Sequence, residues 1–225
     1  MLEAIVEAWQ FVVRRPELVG QYTLAHMWLV FVAGAIALVL GVGSGIFISG
    51  RGRERLAEVA LYIAEIMMTV PSLALFGLLM LILGGIGLKA IGFLPAVLAL
   101  IVYGQLPVLR NTYTAIRQVD PALIEVGRGM GMTETQVLLR VKFPLALPVV
   151  MAGVRNSLVL LIGIATIAAF IGAGGLGVPI FRGLTNNRMD LIIVGGVTVS
   201  ILALVIDGLM TVVQRLATPR GLKKR

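Results

Sequence analysis

The sequence predicts an all-α polytopic membrane protein with about five transmembrane helices and a short two-helix segment on the cytoplasmic side. Of the 225 residues, 59% are hydrophobic and only 13% are charged, against about 25% charged in typical soluble domains. The mean hydropathy is +1.01, and the apolar residues form membrane-length runs. The basic residues lie between these runs, so the formal net charge of +8 fits membrane orientation better than nucleic-acid binding.

Residues 1–20 are predicted to form an amphipathic segment at the membrane surface. Leu2, Ile5 and Trp9 share one face of a helix here, and tryptophan is suited to the headgroup level of the lipid. Acidic residues come early and Arg14-Arg15 come late, which is the reverse of a secretory signal. A frayed, solvated terminus is the alternative interpretation.

The first predicted span covers residues 22–48, or about 40 Å of helix, which exceeds a hydrocarbon core of about 30 Å. Gly41 and Gly45 are spaced to permit close contact with a neighbouring helix, although such pairs also arise by chance. His26 lies near one end of this span with no carboxylate or second histidine nearby in sequence. It is therefore interpreted as an interfacial residue rather than a ligand or a proton relay.

Four further apolar runs complete a transmembrane domain over residues 22–218. They cover residues 56–83, 93–115, 145–171 and 191–213. Pro71 interrupts the first of these runs and predicts a kink or break, because proline removes an intrahelical hydrogen bond. Six spans would result if this break separated two crossings of the membrane.

The distribution of basic residues predicts the orientation. With five spans, thirteen of the nineteen lysines and arginines fall on one side and five on the other, while Arg155 lies inside a span. The positive-inside rule places the thirteen in the cytoplasm, together with the polar stretch 120–148 and the basic tail 219–225, and the N-terminus outside. A sixth span would remove this asymmetry, so five spans are favoured.

The polar stretch 120–148 is predicted to form two short helices that meet at a bend. Asp120-Pro121 is a strong helix start, with an N-cap carboxylate and a proline at the first helical position. Thr133 to Gln136 fits a capping box and predicts a second start. Several exposed apolar residues without an obvious partner in the chain predict a docking surface: Leu123, Ile124, Met130 and Met132.

Two glycine-rich stretches resemble nucleotide-binding motifs without the context that such motifs need. Residues 172–177 match G-x-G-x-x-G but follow a membrane span, so a flexible or tightly packed outer corner is predicted instead. Residues 84–89 lack the spacing of a phosphate loop. The sequence also contains no cysteine, metal-ligand cluster or nucleophile–base pair, so no cofactor, metal or enzymatic site is predicted on this chain.

Three ionisable residues fall within the predicted spans: Glu65, Arg155 and Asp207. Because an unpaired charge at membrane depth is costly, Arg155 is predicted to pair with Asp207 or with Glu65. The alternative is that each faces a water-filled path separately. Candidates for a translocation path are the polar or polarisable span residues Met67, Met68, Thr69, Ser157 and Thr166 and the break at Pro71. Ordinary helix packing is the alternative for each of them.

The stretch from Glu125 to Pro144 resembles the EAA motif of ABC importer permeases, EAA-x3-G-x9-I-x-L-P, with its spacing intact. The departures are Val126 and Gly127 for the two alanines, Val141 for isoleucine and Phe143 for leucine. Further stretches resemble the branch that imports glycine betaine, choline, carnitine and related quaternary ammonium solutes, so that the likeness covers about residues 22–218. They are residues 69–79, 106–116, 120–125, 143–148 and 168–177.

This resemblance implies a multi-pass permease in a bacterial or archaeal cytoplasmic membrane. Its implied partners are a second permease subunit, identical or related, a dimeric cytoplasmic ATPase that carries ATP and Mg²⁺, and an outer substrate-binding protein. Residues 120–144, called here the coupling segment, would dock in a groove of the ATPase, with Glu125 making a polar contact and Gly131 shaping the bend. The other coupling residues implied are Leu123, Gly127, Met130, Met132 and Pro144.

Two other functions compete with import of osmoprotectants. One is an ABC permease for an amino acid such as methionine, since those permeases share the compact five-span form. The other is an ATPase-independent channel or secondary transporter in which the polar segment acts as a gate.

Overall fold

The computed structural model describes residues 2–218, and within this range every regular element is helical. The basic tail predicted at 219–225 lies outside the described residues. The α-helices are α1 Leu2–Arg14, α2 Pro16–Ile48, α3 Glu54–Thr69, α4 Ser72–Gly85, α5 Phe93–Arg117, α6 Pro121–Gly129, α7 Glu134–Val137, α8 Phe143–Ala168, α9 Gly177–Thr185 and α10 Met189–Ala217. The predicted all-α fold class is confirmed.

Four helical stretches are long and apolar enough to cross a membrane, and the pair α3 and α4 counts as a fifth if the two helices form one broken span. These two helices meet at an angle of 102°, at the break that Pro71 predicts. Their 16 and 14 residues correspond to about 24 and 21 Å of helix, which is less than the core of about 30 Å. Two separate crossings would therefore be too short, which supports five spans over six.

The core lies where α2, α5 and α8 pack together with α4. Fully buried side chains from each helix meet there: Leu29, Phe76, Leu100, Leu161 and Ile162. Gly41 faces Val108 and Gly45 faces Thr112, so α2 and α5 run in the same direction. Ser157 of α8 donates a hydrogen bond to the Gly104 carbonyl at 3.0 Å, and Gly153 packs on Asn111, so α8 runs against them.

The contact between α2 and α5 depends on the two glycines. A Cβ atom at Gly41 would lie 2.8 Å from Val108 Cβ, and one at Gly45 would lie 2.6 Å from Thr112 Cβ. Gly43, between them, has no atom within 4 Å of such a position. The predicted small-residue contact is therefore present.

We expect Gly45→Ala to lower the free energy of unfolding by about 1–3 kcal/mol, because the helices must separate to admit the methyl group. Gly43→Ala is the matched control, since its methyl group meets open space. Thermal denaturation of the detergent-solubilised chain checks this, and equal melting temperatures for the two variants would contradict the proposed close contact.

The loops divide between two ends of the bundle as the charge count predicts. At one end, called the coupling end, Arg117 forms an ion pair with Glu54 across α5 and α3, and Gln214 donates to the Pro148 carbonyl. At the opposite end, the Gly92 N–H donates to the Ile171 carbonyl, and Arg182 donates to the Tyr22 hydroxyl. Which end faces the cytoplasm stays a prediction of the positive-inside rule.

The glycine-rich corner at the opposite end is tightly packed. Gly172, Gly174 and Gly175 have φ between +78° and +81°, a conformation that side chains disfavour. A Cβ atom at Gly177 would lie only 1.9 Å from the Thr166 carbonyl oxygen. Of the two alternatives for this corner, the packed one is observed, and the chain continues from it into α9, which the sequence analysis did not predict.

His26 is buried rather than interfacial, so that prediction was wrong. Its Nδ1 accepts a hydrogen bond from the Leu176 N–H at 3.3 Å, which leaves Nε2–H to donate to the Ile162 carbonyl at 3.1 Å. The imidazole thus joins α2 to α8 and to the glycine-rich corner. These partners are backbone groups distant in sequence, and nothing near His26 in the sequence indicates them.

Candidate functional site

The coupling segment begins with α6, which is positioned by local hydrogen bonds. Asp120 caps the helix by accepting from the Ala122 N–H at 2.9 Å, and Pro121 occupies the first helical position. The helix ends at Gly129, and Gly131 then turns the chain with a φ of +81°. The Met132 N–H donates back to the Gly127 carbonyl at 3.1 Å, which closes the bend.

The second helix of the segment, α7, starts with the predicted capping box. Thr133 Oγ1 accepts from the Gln136 N–H at 3.3 Å, and Gln136 Oε1 accepts from the Thr133 N–H at 2.9 Å. Arg128 of α6 donates two hydrogen bonds to the Glu134 carboxylate, at 2.9 and 3.1 Å. This ion pair, which the sequence analysis did not predict, ties the two short helices into one unit.

The coupling segment continues into the fourth span without a break. A π-helical turn, Leu138–Lys142, joins α7 to α8, and the whole stretch Glu134–Ile171 is 38 residues long. Pro144 does not interrupt this continuation. It lies in the first turn of α8 directly after the wider turn, where the missing N–H and the proline ring are tolerated.

The apolar side chains of the segment fall into two groups. Leu123 and Met130 are exposed, as is Val126, which the prediction omitted. Ile124 and Met132 are only half-buried, and a Cβ at Gly127 would lie 3.4 Å from Met132 Sδ. Met132 therefore packs inside the bend, and the expectation that it lacks a partner in the chain is wrong.

Glu125 is exposed at the edge of a cavity of about 220 Å³ at the coupling end. Four basic residues also line this cavity: Arg51, Arg117, Arg128 and Lys142. Within residues 2–218 the Glu125 carboxylate forms no ion pair. The carboxylate is therefore available to a hydrogen-bond donor on another protein. The four basic residues nearby favour its negative charge.

The membrane-depth charges form two pairs. Arg155 of α8 donates to Asp207 of α10 through Nε at 2.5 Å and through Nη2 at 2.6 Å, a bidentate arrangement. Glu65 of α3 pairs instead with Arg110 of α5. Of the two partners considered for Arg155, the structure thus brings Asp207 into contact and leaves Glu65 on another pair of helices.

The path candidates do not form one surface. Ser157 is buried in the contact between α5 and α8, where its hydroxyl bonds to Gly104, so in this structure it serves packing. Thr69 and Thr166 donate to carbonyls of their own helical turns, at 2.7 Å each. Met68 packs against the core and Met67 is half-buried, both just before the break at Pro71.

The break between α3 and α4 is held by Tyr103, a residue that no local sequence pattern indicates. Tyr103 of α5 is 4% exposed, and its hydroxyl donates to the Val70 carbonyl at 2.5 Å. Val70 has extended backbone angles and lies between the two helices, so within residues 2–218 its carbonyl receives no main-chain N–H. The tyrosine thus satisfies the backbone group that the break releases.

We expect Tyr103→Phe to destabilise the fold by about 1–2 kcal/mol, since the Val70 carbonyl would lose its partner in a buried environment. Tyr113→Phe on the same helix is a suitable control, because no hydrogen bond of its hydroxyl is found within residues 2–218. Thermal denaturation of both variants tests the difference, and equal stabilities would show that the tyrosine does not hold the break.

The chain matches a known protein family in sequence. A family model described as "Binding-protein-dependent transport system inner membrane component" matches residues 37–219. The chain belongs to this family. The resemblance to importer permeases is confirmed, and with it the prediction that the chain is a transport subunit and not an enzyme.

Curated members of this family are similar over nearly the whole chain. The osmoprotectant import permease protein OsmW of Salmonella typhimurium is 42% identical over 201 residues, which is 89% of this chain and 92% of that protein. The glycine betaine/carnitine/choline transport system permease protein OpuCB of Bacillus subtilis is 40% identical over 198 residues, 88% of each. Alignments of this length necessarily include the coupling segment in the middle of the chain.

A solved structure supports the fold. One chain in inward-facing conformations of the MetNI methionine ABC transporter superposes on this chain with a TM-score of 0.79 at 24% sequence identity. The superposition covers 92% of this chain and 99% of that chain. At this identity the likeness concerns the fold alone. The superposition supports the arrangement of helices described above.

Proposed function

We propose that this chain is the permease subunit of an ATP-driven importer of osmoprotectants, solutes with a quaternary ammonium group such as glycine betaine, choline or carnitine. The observation that carries this proposal is the 42% identity, over nearly the full length, to a permease named for osmoprotectant import. The methionine alternative rests on a structural neighbour that is 24% identical, which speaks for the fold only.

The proposed transporter contains several chains. Two permease subunits, this chain twice or this chain with a relative, would form the membrane part. A cytoplasmic ATPase dimer would bind ATP and Mg²⁺ and dock on the coupling segment, and an outer binding protein would deliver the solute. The membrane is the cytoplasmic membrane of a bacterium or archaeon, with the N-terminus outside and the C-terminus inside.

The helical geometry supports mechanical coupling. The Arg128–Glu134 ion pair and the two caps make α6 and α7 one stiff unit. This unit continues into α8 without a break, so a displacement of the docked segment moves the span that carries Arg155. The helix that precedes the coupling segment, α5, is tied to α3 through the ion pair between Arg117 and Glu54. Closure of the ATPase dimer would thereby rock the spans between inward-open and outward-open arrangements.

Uptake measurements test the proposal. We expect cells that express this chain with the ATPase and binding protein encoded beside it to accumulate radiolabelled glycine betaine at high salt. Omitting the ATPase should abolish uptake, and excess choline or carnitine should compete where excess methionine does not. Uptake without the ATPase would support a channel or secondary transporter instead, and competition by methionine alone would support the amino-acid alternative.

A further inference from the structure

Four arginines gather at the opposite end of the bundle, far from the coupling segment. Two adjoining cavities, of about 470 and 170 Å³, lie there between α1, α9 and the start of α10. Both are lined by Phe11, Arg15 and Arg188. Arg14 lines the larger cavity and Arg182 the smaller one. We call these four side chains, Arg14, Arg15, Arg182 and Arg188, the arginine cluster.

This concentration of positive charge is unusual for its position. Only five basic residues were assigned to this side of the membrane, and the cluster contains four of them, with Lys89 as the fifth. By the positive-inside rule, lysine and arginine concentrate on the cytoplasmic side, so few are expected on this one. The carboxylates that line the cavities are Glu7 and Asp190, so positive charge remains in excess.

The acidic residues neutralise only part of the cluster. Asp190 is almost fully buried and accepts hydrogen bonds from Nε and Nη2 of Arg188, and this ion pair raises the pKa of that arginine. Arg182 donates to the Tyr22 hydroxyl. Arg14 and Arg15 are exposed, and within residues 2–218 neither side chain has an ion-pair partner.

The helix that carries Arg14 indicates where the cavities open. One face of α1 exposes large apolar side chains, Leu2, Ile5, Val6, Trp9 and Val13. The neighbouring face holds Glu7, Gln10 and Arg14, which line the larger cavity. An amphipathic helix of this kind lies in the membrane interface with its apolar face among the acyl chains. Its polar face, and therefore the arginine cluster, then lies at the level of the lipid headgroups.

We propose that the arginine cluster binds the phosphate group of an anionic phospholipid in the leaflet opposite the coupling end. Guanidinium groups suit this ligand because their planar donors match phosphate oxygens in a bidentate way. The exposed apolar face of α1 lies beside the cavity and offers a surface for the acyl chains. A soluble anion would contact only the guanidinium groups. An acidic protein surface would likewise leave the apolar face of α1 without a partner.

Native mass spectrometry of the full-length chain in detergent tests this proposal. The purified protein is mixed with equal amounts of phosphatidylglycerol and phosphatidylcholine of the same chain length. We expect preferential retention of phosphatidylglycerol by the unmodified chain. Because each arginine near an anionic headgroup contributes about fivefold to binding, Arg14→Gln with Arg15→Gln should reduce this retention by at least that factor.

Matched variants distinguish lipid binding by the arginine cluster from a general effect of positive charge on this side. Lys89→Gln removes the remaining basic residue on the same side and should leave retention unchanged. Arg15→Gln alone provides a milder change if the double variant does not fold, and Arg188 is left intact because it neutralises the buried Asp190.

Several results would overturn the lipid assignment. One is equal retention of the two lipids by the unmodified chain. Another is full displacement of phosphatidylglycerol by millimolar inorganic phosphate, which would identify a site for free phosphate. A third is unchanged lipid retention in the arginine variants together with lost retention of the substrate-binding protein, which would assign the cluster to protein docking.

Discussion

Replacing either Arg155 or Asp207 by alanine is expected to reduce uptake by at least about tenfold, because each change leaves an uncompensated charge at membrane depth. The two side chains are bound through two hydrogen bonds, at 2.5 and 2.6 Å, that join α8 to α10. About one third of each side chain is exposed in the single chain, and this surface meets lipid, a partner subunit or a path in the membrane. Radiolabelled betaine uptake, corrected for the amount of chain in the membrane, measures the effect.

The double variant R155A/D207A decides whether the two charges act as a pair. We expect it to be no worse than either single variant, because removing both charges leaves none unpaired. The Glu65–Arg110 pair is the control, since its side chains are more exposed, at 41% and 55%, and its single variants should lose less. Losses that add fully in R155A/D207A would show that the two residues act separately.

The parts of the structure that the sequence predicts are those encoded by neighbouring residues. The Asp120 cap and the capping box at Thr133 involve partners two or three residues apart, so spacing alone identifies them. The break at Pro71 follows from the chemistry of one residue. The grouping of the loops at two ends follows from charge counted along the chain.

The parts that the sequence does not predict depend on contacts between distant residues. His26 bonds to backbone groups of residues 162 and 176, and backbone groups carry no residue-specific signal. Tyr103 meets Val70 only because α5 packs beside the break. Within the coupling segment, Arg128 and Glu134 are six residues apart and meet only once the bend at Gly131 has formed. Their opposite charges indicate an ion pair only if the position of the bend is already known.

Glu125→Gln is expected to lower uptake by about tenfold or more while the chain remains in the membrane, because a charged contact with the ATPase would be lost. Glu125 is exposed and free of ion pairs within residues 2–218, so its removal has little effect on the fold of the isolated chain. Glu58→Gln is the control, an exposed carboxylate outside the coupling segment. Co-purification of the ATPase and betaine uptake are the two measurements, and normal values of both in Glu125→Gln would remove this residue from the proposed contact.

Gly131→Ala tests the shape of the same segment independently of its charge. No atom lies within 4 Å of a Cβ at Gly131, so the cost comes from its φ of +81°, about 1–2 kcal/mol for a residue with a side chain. Gly129→Ala is the matched control, because its Cβ also meets open space while its backbone is helical. We expect Gly131→Ala to weaken ATPase retention and Gly129→Ala to preserve it. Since the two methyl groups are sterically equivalent, a difference between the variants would assign the docking function to the bend itself, whereas equal retention would leave the bend without a role in docking.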